Sequence, residues 1–205
     1  VVTKLRIALK KKGIKTKVGH IGTLDPLATG MLGIMFGQAT KYASYLLSMD
    51  KIYTCTARLG LSTDTYDLDG RVLERTKNID YCEKNLLEII DSFQGEISQT
   101  PPKYSAIKIN GEPAYKYARE NKELKIPSRI VKIYNIKLLD HSKTSFTIKV
   151  NCSKGTYIRS LVNDISTKLK IPLVVSRLNR VSIANFNELI GFREILEKFN
   201  EQGII

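Results

Sequence analysis

Alternating apolar and polar residues in two separate segments constrain the fold more than any other feature of this sequence. Every second residue from Phe146 to Cys152 is apolar, and the segment from Tyr53 to Leu59 repeats the pattern. Because successive side chains of a strand point to opposite faces, each segment predicts a strand with one buried face. The chain therefore needs at least one sheet that packs against a second layer.

The other segments complete an α+β pattern. Further strands are predicted at 31–36, 71–74, 130–138 and within 172–184, and helices at 2–12, 38–47, 81–93, 156–169 and 185–199. A loop is expected over 14–25, after which Pro26 suits the first turn of a short helix. Because strands and helices interleave without a strict βαβ rhythm, we predict a mixed, largely antiparallel sheet flanked by helices.

The chain carries a formal net charge of +13. Such an excess favours a polyanionic partner, most simply a nucleic acid, although a generic basic surface is the alternative. No apolar run approaches the roughly 18 residues that a membrane span needs, so no membrane association is expected. Cys55, Cys82 and Cys152 are widely spaced, which argues against disulfides and zinc and favours reduced thiols in the cytoplasm.

The segment from Gly19 to Gly30 is the first candidate for chemistry. Glycines flank both His20 and Asp25, which is typical of a tight loop where a ligand approaches the backbone closely. Asp25 stands directly before Pro26, so it suits the N-cap of a helix equally well. Local chemistry alone leaves both a helix cap and a reactive carboxylate open.

A long motif overlaps this segment. The run GHIGTLDPLATGML resembles the signature of TruB-type pseudouridine synthases and of their relatives in guide-RNA complexes. More blocks follow in the family's order, so the resemblance extends from Lys17 to about Val181. They are ATKYASYLL, DKIYTCTARLG, STDTYDLDG, PPKYSAIKINGEPAYKYAR and CSKGTYIRSL. The guide-RNA relatives lack the block from Ala57 to Gly70, so its presence favours the stand-alone tRNA enzymes.

The resemblance implies that the chain isomerises uridine to pseudouridine at position 55 of tRNA, in the T loop. The nucleotide is flipped out of the folded RNA, and its base leaves C1′ of the ribose, rotates and rejoins through C5. One carboxylate serves as nucleophile at C1′ or as base at C2′, and both routes stay open. Since the reaction needs no redox change and no external group, we expect neither a cofactor nor a metal ion.

The resemblance also implies roles for individual residues. Asp25 would be the catalytic aspartate and Arg159 its partner, while Tyr53 would stack on the target base and assist removal of the C5 proton. His20 would support the flipped-out nucleotide, and Tyr157 would help to hold the uracil. Further positions expected at the RNA are Lys17, Lys41, Asp67, Lys103, Tyr104, Lys108, Lys116 and Arg119, whose basic members would grip phosphates.

The stretch from 99 to 129 is rich in prolines, tyrosines and basic residues, with one predicted helix at 114–121. It resembles the family's insertion that closes over the tRNA T loop; a solvated basic loop is the alternative. We expect 1–205 to form one catalytic domain that lacks the family's first strand and its C-terminal PUA-type domain. We further expect a cytoplasmic monomer whose partner is the T stem-loop of tRNA.

Two other classes of function remain open. Asp64, Asp67 and Asp69 lie in one acidic loop, which suits a metal-dependent RNA nuclease. A non-catalytic RNA-binding protein, such as a tRNA folding chaperone, would use the basic surface without needing Asp25 for chemistry.

Overall fold

A computed structural model describes residues 1–120 and 122–201, which form an α+β protein around a six-stranded sheet. Within these residues the strands are β1 (Val18–Ile21), β2 (Thr29–Gly30), β3 (Gly33–Phe36), β4 (Lys51–Leu59), β5 (Leu61–Thr63), β6 (Val72–Arg75), β7 (Gly95–Gln99), β8 (Lys108–Ile109), β9 (Glu112–Pro113), β10 (Arg129–His141), β11 (Ser145–Cys152) and β12 (Leu173–Ile183). The α-helices are α1 (Val2–Lys11), α2 (Ala43–Leu47), α3 (Glu83–Asp91), α4 (Ala114–Arg119), α5 (Ile158–Leu169) and α6 (Phe192–Glu201), and a 3₁₀ helix spans Gly37–Tyr42.

The central sheet is mixed but largely antiparallel. Its order is β2-β12-β4-β11-β10-β7, and the two-residue strand β2 runs parallel to β12 while the other neighbours are antiparallel. The two alternating segments lie side by side, with Cys55 of β4 paired to Ile148 of β11 and, on the other side, to Leu178 of β12. The predicted fold class is confirmed.

Helices α3 and α5 contribute to the main hydrophobic core together with the sheet. The alternating apolar residues of β11, from Phe146 to Cys152, are buried in this core. Helix α5 buries Leu161, Val162 and Ile165, because its apolar residues recur at helical spacing along one face. Burying one such side chain contributes about 1.5–3 kcal/mol, so the core holds α5 firmly in place.

Helix α1 and the β1–β3 hairpin form smaller clusters beside this core. Leu9 of α1 packs with Val18 of β1 and with Phe199 of α6. A neighbouring cluster joins Ile21 of β1 to Ile183 of β12. These contacts anchor both ends of the segment between β1 and β3, which carries Asp25.

The loop predicted over 14–25 is partly wrong. Residues 18–21 form strand β1, which pairs antiparallel with β3, so that His20 lies opposite Ile34 in a hairpin. A four-residue strand that contains a glycine shows too little alternation to be recognised alone, and its partner supplies the stabilisation. The strand predicted at 31–36 begins only at Gly33.

The short helix predicted after Pro26 is also wrong. Pro26 and Leu27 form a single turn, in which the N–H of Ala28 donates to the carbonyl of Asp25 at 2.9 Å. The next residues enter strand β2, so the turn cannot continue as a helix. Asp25 is therefore not a helix N-cap.

The remaining differences concern element ends and short strands. The helix predicted at 38–47 is a 3₁₀ helix followed by α2, and strands β7, β8 and β9 were not predicted. Helix α4 ends at Arg119, earlier than the predicted 114–121, and Asn121 lies outside the described residues. Across the described ranges, no helix has both the length and the apolar character that crossing a membrane requires.

Candidate active site

A pocket of about 750 Å³ opens beside β4 and the start of α5. Its lining brings together residues from segments that are far apart in the sequence, including seven of the predicted site residues. These seven are Asp25, Tyr53, Asp67, Tyr104, Arg119, Tyr157 and Arg159. We call this cavity the Asp25 pocket.

Asp25 lies between β1 and β2, at the turn made by Pro26 and Leu27. One end of this segment is held because Gly30 pairs with Arg180 of β12. Gly30 has φ +90°, and a Cβ there would lie 2.3 Å from the carbonyl oxygen of Arg180, so only glycine fits. The side chain of Asp25 keeps 32% of its surface exposed, which leaves the carboxylate accessible from the pocket.

Arg159, in the first turn of α5, binds both carboxylate oxygens of Asp25 through two N–H groups of its guanidinium. Its Nε donates to Asp25 Oδ2 at 2.8 Å and its Nη2 to Asp25 Oδ1 at 2.9 Å. It also donates to the carbonyls of Thr65 at 2.8 Å and Tyr104 at 3.0 Å, while its side chain is only 5% exposed. A planar fork with several donors makes these bonds together, which a lysine cannot do. Arg159 thus fixes the orientation of the carboxylate.

Asp67 is a buried second acid beside the same arginine. Its Oδ2 lies 3.4 Å from Arg159 Nη1, and its Oδ1 accepts from the Thr65 hydroxyl at 2.6 Å and from the Asp69 N–H at 3.1 Å. Because these protein donors already bind the Asp67 carboxylate, its geometry suits the positioning of Arg159 better than a direct contact with RNA.

The acidic loop shows no arrangement that favours a metal-dependent nuclease. Asp64 accepts a hydrogen bond from the backbone N–H of Arg71 at 2.8 Å, and Asp67 faces Arg159. Between residues 1 and 201, apart from 121, no group of three or more His, Cys, Asp or Glu side chains is placed to hold a metal ion. The nuclease alternative therefore gains no geometric support.

Tyr53 is the third residue of β4, and it lines the Asp25 pocket. Burial raises the pKa of its hydroxyl, and the nearby Arg180 guanidinium acts in the opposite direction. The net effect raises the pKa, so the hydroxyl stays protonated at neutral pH. The ring is thus an apolar surface with a neutral hydroxyl, suited to stacking against a base.

Tyr157 is held from its backbone and from its ring. The buried amide of Gln99 accepts from the Tyr157 N–H at 2.8 Å and donates to the Tyr157 carbonyl at 3.1 Å. The Arg129 guanidinium lies over the ring, 4.8 Å from its centroid, and also donates to the carbonyl of Gly155. Because Tyr157 directly precedes α5, these contacts also fix the start of the helix that carries Arg159.

His20 and Lys17 lie elsewhere. They line a second pocket of about 540 Å³, together with Arg6 and Thr40. His20 belongs to strand β1, and its Nδ1 is buried and has no hydrogen-bond partner within the described part of the chain. The structure therefore does not bring these two predicted residues into the Asp25 pocket.

Four of the predicted lysines lie outside the lining of both pockets: Lys41, Lys103, Lys108 and Lys116. Lys116 of α4 is paired with Glu112 of β9, and about half of each side chain is exposed. Arg119, by contrast, lines the Asp25 pocket and lies over the ring of Tyr115, 5.4 Å from its centroid.

Sequence reasoning missed four polar residues at this site: Lys51, Gln99, Arg129 and Arg180. Three of them line the Asp25 pocket, and Gln99 lies behind Tyr157. A signal existed for Arg180, because it lies two residues from Leu178 and so shares a strand face with a buried apolar residue. A charged residue on such a face needs an explanation. Gln99 offered a weaker signal, since it ends a short strand that was not predicted.

Solved structures share this fold over the whole chain. A structure of a Cbf5–Nop10–Gar1 complex matches all of the chain with a TM-score of 0.72 and 27% identity. The match covers 52% of the solved chain. An H/ACA RNP bound to a substrate RNA containing 2′-deoxyuridine matches with a TM-score of 0.68 and 25% identity, over 51% of the solved chain. The fold therefore places the chain in a structural class that includes a protein solved with a substrate RNA.

The family follows from the sequence comparisons. The family model described as "TruB family pseudouridylate synthase (N terminal domain)" matches residues 8–158. The tRNA pseudouridine synthase B of Clostridium kluyveri is 46% identical over all of the chain, which spans 68% of that protein. The enzyme of the same name from Francisella tularensis subsp. tularensis is 51% identical over 86% of the chain, or 59% of its own length. The chain belongs to the TruB family of pseudouridylate synthases, which are isomerases.

Proposed function

We propose that this chain converts a uridine of the tRNA T loop, at position 55, into pseudouridine, with Asp25 as the catalytic carboxylate. The relatives' names support tRNA as the substrate class. The observation that carries the proposal is that Arg159 donates two hydrogen bonds to the Asp25 carboxylate, which remains accessible from a basic pocket.

The chemistry needs one oriented carboxylate beside the ribose. On one route Asp25 attacks C1′ as the glycosidic bond to N1 breaks; on the other it removes the C2′ proton as the base leaves. The detached uracil then turns. On the first route C5 displaces Asp25 from C1′, and on the second C5 adds to C1′ while Asp25 returns the proton to C2′. In both, C5 then loses its proton and N1 gains one. No electrons are gained or lost overall. The bonds from Arg159 orient the Asp25 carboxylate for either route.

The target base must reach this pocket from a folded loop. We propose that the nucleotide is flipped out, since the carboxylate lies inside a cavity and not on a flat surface. In this proposal Tyr53 stacks on the base and Tyr157 holds its edge, because both side chains line the pocket. The stretch 99–129 supplies Tyr104, Tyr115 and Arg119 to the pocket, which supports its role as an RNA-binding insertion.

Charge supports RNA as the ligand. The pocket lining includes five cationic side chains but only three carboxylates, and two of those carboxylates are engaged by Arg159. Contacts between such cations and phosphates release counterions, so binding should weaken steeply as salt rises. A monomer in the cytoplasm remains our prediction for the protein's state and location.

A direct test incubates the chain with an unmodified tRNA transcript and maps pseudouridine at base resolution. A matched transcript with cytidine in place of the T-loop uridine controls for site choice. We expect product at the T loop of the first transcript, none in the second, and full activity in excess chelator. Strand cleavage that requires a metal ion would instead favour the nuclease, and tight binding without product would favour an RNA chaperone.

A further inference from the structure

Lys51 and Arg180 are two buried cations on one wall of the Asp25 pocket. Their exposures are 7% and 2%, yet both belong to the pocket lining. They are close in the sheet: Arg180 of β12 is paired with Tyr53 of β4, and Lys51 lies two residues before Tyr53. Since alternate residues of a strand share a face, Lys51 and Tyr53 project on the same side, about 7 Å apart along the strand.

These two cations donate to backbone carbonyl oxygens, and Arg180 also interacts with the Tyr53 hydroxyl. Arg180 donates from Nε to Met31 at 2.7 Å and from Nη2 to Gly22 at 3.0 Å. Lys51 donates from Nζ to Leu47 at 2.8 Å and also to the carbonyl of Met49. Both groups retain N–H donors beyond these bonds. Within the ranges that the structure describes, neither forms an ion pair with a carboxylate.

An unpaired buried charge is costly, and two neighbouring charges of the same sign are more costly still. Burial lowers the pKa of Lys51, and the proximity of Arg180 lowers it further. The carboxylates of Asp25 and Asp67 do not relieve this cost, because both are bound by Arg159. A net positive wall in a concave pocket attracts an anion.

We propose that Lys51 and Arg180 form a phosphate-binding subsite that holds a backbone phosphate next to the target nucleotide; this inference rests on the proposed RNA substrate. Lys51 and Arg180 neighbour Tyr53, the residue proposed to stack on the base, one along β4 and the other across the sheet. A phosphate supplies the full negative charge that a base edge lacks, and a guanidinium with an ammonium is a common way to bind it.

A structural role alone would predict a different outcome. Arg180 joins both ends of the segment that carries Asp25, through Gly22 and Met31, and Lys51 caps the end of α2. If these bonds were the whole function, removing a charge would lower activity equally on every RNA. A phosphate subsite instead predicts that the loss depends on the charge of one particular phosphate.

The test uses T-loop RNA hairpins in which the phosphate on the 5′ or the 3′ side of the target uridine is replaced by an uncharged methylphosphonate. For the wild-type chain, we expect one of the two replacements to lower kcat/KM and affinity about tenfold or more. For Lys51→Met, the same replacement should lower both quantities only about threefold or less, because Arg180 alone remains to bind the charge of that phosphate. The control variant Lys143→Met removes an exposed charge from the β10–β11 turn, at the opposite end of β4, and should keep the wild-type sensitivity.

Three results separate the possibilities. Insensitivity of the wild-type chain to both methylphosphonates overturns the proposal, and so does equal sensitivity in the wild type and Lys51→Met. If Lys51→Met does not fold, as judged by circular dichroism, Lys51→Gln replaces it, which also removes the charge, and a reduced sensitivity is again required. If the wild type binds the hairpins but makes no pseudouridine, the proposed function fails, and the affinities alone decide on the phosphate subsite.

Discussion

Replacing Arg159 with lysine changes the shape of the partner of Asp25 while it keeps the charge. The arginine makes two bonds to the carboxylate and two more to the carbonyls of Thr65 and Tyr104. A lysine ammonium retains at most one of the bonds to Asp25, and each charge-assisted bond contributes about 1.5–3 kcal/mol. We therefore expect kcat to fall about 10- to 100-fold.

The same substitution should also lower stability, because buried carbonyls lose their donors. A loss of about 1–3 kcal/mol corresponds to a decrease in Tm of roughly 2–4 °C for each kcal/mol in a domain of this size. Single-turnover kinetics on an unmodified tRNA transcript and thermal unfolding measure the two effects separately. RNA affinity should stay within about threefold of the wild type, because Arg159 is buried and its charge is retained.

A matched control is Arg58→Lys, at an exposed position near the far end of β4. It should leave both kcat and Tm unchanged. Turnover of Arg159→Lys within twofold of the wild type would refute the orienting role of the guanidinium. A loss of the same size in Arg58→Lys would show that the effect does not come from the site.

Three further substitutions probe the surroundings of the site. Gln99→Leu leaves the partly buried N–H of Tyr157 without a partner, while its carbonyl keeps only the Leu161 N–H, so unfolding should require about 1–3 kcal/mol less and kcat should fall. An unchanged Tm would contradict the role of Gln99 in holding Tyr157. Tyr53→Phe should keep RNA affinity and slow turnover at least tenfold, whereas unchanged turnover would restrict Tyr53 to stacking. Burial raises the pKa of Asp164 to about 6, and Lys168 opposes this shift. Between about pH 4 and 6 the folded chain therefore keeps a proton on Asp164 that the unfolded chain loses, so the stability of the folded chain falls as the pH rises through this window. Asp164→Asn should therefore be about 1 kcal/mol more stable than the wild type at pH 7.5, after allowing for partial exposure, and equally stable at pH 4; a constant difference would exclude this origin.

The sheet was predictable because its central strands show their own period. The alternation from Phe146 to Cys152 and from Tyr53 to Leu59 records one buried face, and burial is what decides the register of a sheet. Short strands such as β1, β2 and β7 carry too few residues to show a period. They are stabilised by partners that are distant in the sequence, so local reasoning cannot find them.

The site was predictable only in part, and for a related reason. The motif around Asp25 resembles a known family, which identified the acid and the arginine expected to pair with it. The contacts of Arg159 join four segments, from Asp25, Thr65, Tyr104 and α5, and no local pattern encodes such a meeting point. Arg180 and Gln99 were missed because their importance depends on burial, which the sequence shows only after the strands are placed.

The claim that Asp25 performs the chemistry is tested most directly by Asp25→Asn in a single-turnover assay with excess enzyme. The substitution preserves the size of the side chain but removes the charge that attacks or accepts the proton. We predict that the variant binds an unmodified tRNA transcript within about threefold of the wild type and forms no detectable pseudouridine. Product at the wild-type rate would contradict the role of Asp25 and, with it, the mechanism proposed for this pocket.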